Sequence, residues 1–70
     1  SNYILVLNMA RQVYIYTIKV LKKVSFDPHL FKKELDKAYK VLLPYEIEEL
    51  KIWVDAFIFN KPSLQGFLNS

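Results

Sequence analysis

The residues with a capacity for chemistry in this 70-residue chain are few: one histidine, seven carboxylates, ten lysines and arginines, and no cysteine. His29 follows Pro28 and stands near Asp27, so a metal ligand or a general base is the first possibility to weigh. A catalytic metal usually takes about three protein ligands, and a base works beside a nucleophile or a substrate pocket. Nothing at matching spacing accompanies His29, which reads as an exposed residue in a first helical turn. Glu46, Glu48 and Glu49 suggest acid/base work or a hard cation. They crowd into one first turn, pointing in different directions, and complementarity to the positive end of a helix dipole accounts for them. Lack of cysteine removes disulfides, thiolate nucleophiles and zinc knuckles. Phosphate-cradling loops need glycine, and the only one, Gly66, lies near the C-terminus. The expectation is no enzyme, no cofactor and no metal.

Cations are the more serious lead. From Arg11 to Lys40 there are eight Lys or Arg against Asp27, Glu34 and Asp36, whereas from Val41 onward Lys51 and Lys61 face four acids. Lys19, Lys22, Lys23, Lys32 and Lys33 are the candidate contacts to a polyanion, with Lys37 and Lys40 extending the patch. Against this, lysine is the default solvated residue of a helix, and Arg11 is the only arginine. A helix-turn-helix would send the third helix into the major groove, yet that helix begins with glutamates that phosphates repel. The aromatic side chains from Tyr14 to Phe67 recur at helical spacing, which is the pattern of a core; a chain this short rarely encloses the roughly 300 Å³ of a typical ligand pocket.

The elements that position these residues read as helices. Placed about 100° apart, Asn8, Arg11, Gln12, Lys19, Lys22 and Lys23 fall in one arc about 120° wide. The remainder of residues 3 to 24 is apolar apart from Thr17, with Leu7, Ala10, Tyr14, Ile18 and Leu21 at its centre. Val13 to Ile18 also suits a strand, but it lacks apolar/polar alternation and bracketing turn residues. Helix 1 is therefore expected over 3–24. That length also spans a bilayer of about 30 Å, but Asn8, Arg11, Gln12 and Lys19 interrupt it, and a mid-bilayer Arg or Lys costs about 2.5–3.5 kcal/mol. No membrane span is expected.

Asp27-Pro28 supplies an N-cap and a proline at the first helical position, opening helix 2 over 28–43 with Leu30, Phe31, Leu35, Ala38 and Leu42 as its apolar stripe. Asp36 and Lys40 are placed as an i,i+4 pair. Pro44 ends that helix and opens helix 3 over 44–59, whose core face is Ile47, Leu50, Val54, Phe57 and Ile58 with Trp53 beside them. A short turn over 62–68 closes the chain. The fold class expected is all-α: one soluble domain, a small antiparallel three-helix bundle with a short fourth helical turn. Ser1-Asn2 reads as a scar of tag removal, which would place the natural start upstream.

Val24-Ser25-Phe26-Asp27-Pro28, Leu30-Phe31-Lys32-Lys33-Glu34-Leu35 and Leu43-Pro44 with Glu46-Ile47-Glu48-Glu49-Leu50 resemble a group of small bacterial helical proteins of unassigned function. The resemblance covers about half the chain, in caps and core positions, and implies no catalytic or binding residue.

With 53% hydrophobic residues, the chain carries more apolar surface than about 70 residues bury comfortably. The apolar arc of helix 1, roughly 240° wide, exceeds what two neighbouring helices cover. These observations predict a cytoplasmic interaction module that forms a homodimer, or binds a partner protein, through Leu5, Met9, Val13, Tyr16 and Val20. Nucleic-acid binding through the lysines is the alternative.

Overall fold

In the computed structural model, residues 2–69 are described, except for the side chains of Asn2, Leu7 and Ala10. These residues form four helices: α1 (Asn2–Lys23), α2 (Pro28–Val41), α3 (Pro44–Ile58) and α4 (Pro62–Leu68). The described residues are all-α, 85% of them helical, with no strand among them. Val13–Ile18, the stretch most suited to extended structure, lies inside α1.

Each of the last three helices opens on one of the chain's prolines, and one steric rule explains why. A proline ring clashes with a helical residue before it, so that residue turns extended, while its own missing N–H costs nothing in the first turn. Asp27, Leu43 and Lys61 accordingly sit at ψ 104, 153 and 82°. Asp27 also caps α2, its Oδ1 accepting from the backbone N–H of His29 at 3.0 Å and of Leu30 at 3.3 Å. Helix α2 is shorter than expected. It ends at Val41 rather than 43, because Leu42 as well as Leu43 is extended.

Tyr14 and Leu21 of α1, Phe31, Leu35 and Ala38 of α2, Leu42, then Leu50, Val54 and Ile58 of α3 and Leu64 of α4 form one buried cluster. Phe57 lies parallel to Phe31 at 6.1 Å and stacks on Trp53 at 4.6 Å. Four expected core positions come out differently. Leu30 is exposed, and Ile18, Ile47 and Phe57 are only half-buried. Leu7 and Ala10, placed at the centre of the apolar face of α1, have side chains outside the described residues.

Helix α1 packs on α2, and α4 on both α2 and α3. The radius of gyration is 12.9 Å, against about 11 Å for a compact chain of this length. Helix lengths account for the excess. At 1.5 Å per residue the 22 residues of α1 run about 33 Å and the 14 of α2 about 21 Å. The first turns of α1 therefore stand past the elements beside them, and Tyr3, Ile4, Leu5, Val6 and Met9 remain between 54% and 83% exposed.

Candidate functional site

Two features of α1 stand out, on opposite faces. On the inner face Arg11 reaches α3. Its Nη1 and Nη2 donate to the two carboxylate oxygens of Glu49, each at 2.9 Å, and Nη1 also donates to Glu46 Oε2 at 3.2 Å. The guanidinium lies 4.4 Å from the centre of the Tyr14 ring. The hydrogen bonds to Glu49 hold Arg11 more firmly protonated than usual, against an opposing contribution from burial, and the same bonds hold the Glu49 carboxyl below the ordinary carboxylate range. Burial raises the Tyr14 hydroxyl, and the nearby Glu49 charge adds to it.

This bridge corrects the reading of the glutamates as dipole partners. Glu46 is fully buried, with Oε2 on Arg11 and Oε1 without a partner. The signal was present in the spacing, since Glu46 continues the series Leu50, Val54, Ile58 at intervals of four and so belongs to the core stripe. What the spacing alone lacked was the cation 35 residues away. Glu48 points elsewhere and pairs with Lys51 at 3.3 Å.

On the outer face the expected contact residues are placed as follows. Leu5, Met9, Val13 and Tyr16 are exposed and Val20 is half-buried. Val13, Tyr16, Thr17 and Val20 form one wall of an open groove of about 450 Å³ whose other wall is Glu34, Lys37, Ala38 and Val41 of α2. Its lining is mostly apolar in side-chain type. Glu34 and Lys37 at its rim neutralise each other at 3.2 Å. The stretch Tyr3–Lys23 is also long and apolar enough, by length and composition, to cross a membrane, with 12% of its most apolar window buried.

Lys19, Lys22, Lys23, Lys32 and Lys33 are all exposed. Lys32 donates to Asp36 at 3.1 and 3.4 Å. Asp36 thus pairs one turn back, with Lys32, and not one turn forward with Lys40 as its spacing also allowed. A second open groove brings His29, Lys32, Lys33, Lys37, Lys40 and Asp36 around Phe67. His29 is exposed and meets the Phe67 ring edge-on at 4.6 Å. Among the described residues no group of three or more His, Cys, Asp or Glu is arranged to hold a metal ion. Neither a family model nor a curated protein nor a solved structure matches this chain.

Proposed function

We propose that this protein is a non-enzymatic interaction module that pairs with a second copy through the outer face of α1. In this reading α1, α2 and α3 make an antiparallel three-helix bundle, with α4 folded across one end. The observation that carries the proposal is the exposure of Leu5, Met9, Val13 and Tyr16 along one face, while Tyr14 and Leu21 occupy the core. Large contiguous apolar patches are rare on soluble monomers and mark interaction sites. Arg11 argues against a helix inside a bilayer, since it sits mid-helix and is engaged with α3.

Sedimentation equilibrium over the micromolar range tests the proposal. A concentration-dependent dimer is expected; a monomer at every concentration, binding no apolar-surface dye, refutes it. The gathering of Lys32, Lys33, Lys37 and Lys40 around one groove supports a second reading, contact with a polyanion. That reading expects retention on heparin that weakens steeply with salt.

A further inference from the structure

We infer that the partner on α1 is a second copy running antiparallel, with residue i of one α1 opposite residue 22 − i of the other, so that the protruding end of each copy lies in the α1/α2 groove of its mate. This rests on the self-association reading above and goes beyond it by fixing direction and register.

The spacing on the exposed face points first to the kind of seam. Val6, Met9, Val13, Tyr16 and Val20 are separated by three, four, three and four residues, the alternation that keeps a seam between two helices. On a helix they fall within about 80°, and Arg11 points the opposite way. Continuing the alternation reaches Lys23, where the apolar run stops.

Charge then sets the direction. A parallel pair would bring Lys19, Lys22 and Lys23 of both copies to the same end, Lys23 facing Lys23 across the seam, and like charges so placed repel. Running antiparallel separates them. Register follows from the same lysines. Pairing i with 22 − i sets Val6 opposite Tyr16 and Met9 opposite Val13, covers the chain from residue 2 to residue 20, and leaves Lys22 and Lys23 beyond the partner's end. Sliding by one heptad toward more overlap at that end would set Val6 against Lys23.

Lengths agree with this register. The protruding segment from Tyr3 to Met9 contains no charged residue. It runs about 9 Å, close to the rise from Val13 to Val20 along the groove wall, about 10 Å. The partner's Leu5 to Met9 would lie along that wall, over Ala38 and beside Val41. Glu34 and Lys37, paired at the rim, leave no uncompensated charge beneath it.

Because the chain has no cysteine, single thiols test the register. Val6→Cys and Tyr16→Cys are made separately; both positions are exposed, so neither should disturb the fold. Each variant alone, and their equimolar mixture, is oxidised gently and run on a non-reducing gel, while the unmodified protein is sedimented. A disulfide-linked dimer is expected only in the mixture, since like positions lie about 15 Å apart along the axis in this register. Efficient linkage of either variant alone would overturn the register, and linkage of both variants alone would show a parallel seam and overturn the direction as well. No linkage in any sample, with the unmodified protein still a dimer, would overturn the register while leaving self-association in place. A monomeric protein would overturn both, and one that also pelleted with phosphatidylcholine vesicles would assign the face to a lipid surface.

Discussion

Met9 offers the sharpest perturbation of the outer face. Its side chain is 68% exposed in one copy, so replacement by glutamate removes nothing from the core, and the two residues have similar helix propensity. Fully burying a methionine contributes about 1.5–3 kcal/mol. With about two-thirds of it available for burial, pairing should recover roughly 1.5 kcal/mol per copy, or about 3 kcal/mol per dimer. Met9→Glu forfeits that and adds the desolvation of two carboxylates. At tenfold per 1.4 kcal/mol the dimer Kd should rise at least about 100-fold. Sedimentation equilibrium reads the change, and thermal unfolding followed by circular dichroism at high dilution should stay within a few degrees of the unmodified protein. An unchanged Kd in a variant that keeps its helicity would refute the assignment of this face.

Phe31, fully buried and parallel to Phe57, should cost about 3–5 kcal/mol when cut to alanine, read as a fall in the urea midpoint. Asp27→Ala removes the cap of α2 and should cost about 1 kcal/mol by the same assay, whereas Asp27→Asn should recover most of it. Glu49 sets a pH dependence: its carboxyl is held low by Arg11 when folded, so its contribution is present above the ordinary carboxylate pKa and lost as pH falls through the depressed value. Glu49→Gln should therefore flatten the acid limb of a stability profile below about pH 4.5; a limb of unchanged steepness would show that the bond to Arg11 does not tune folding.

The breaks at Asp27-Pro28, Leu43-Pro44 and Lys61-Pro62 were legible because they depend on a residue and its neighbour, nothing further. Asp36 shows where such reasoning stops. Lys32 and Lys40 are equally spaced from it, and the choice of Lys32 belongs to side-chain rotamers that spacing does not encode. Leu30 shows the same limit for burial, since its place on the apolar stripe did not decide whether anything covers the first turn of α2.

What the sequence determined by itself is the all-α class, the start of each later helix and the surplus of apolar circumference on residues 3 to 24. These follow from backbone sterics, capping and periodicity, all of which act within a few residues. Only the tertiary structure decided that Glu46 lies buried beneath Arg11, and that one face of α1 is spent on the core while the other stands open beside α2. Those outcomes depend on which helices come within a few ångströms of each other, across 35 and 38 residues where Arg11 meets Glu46 and Glu49 and across a full helix length where α1 meets α2, and no local rule carries that information.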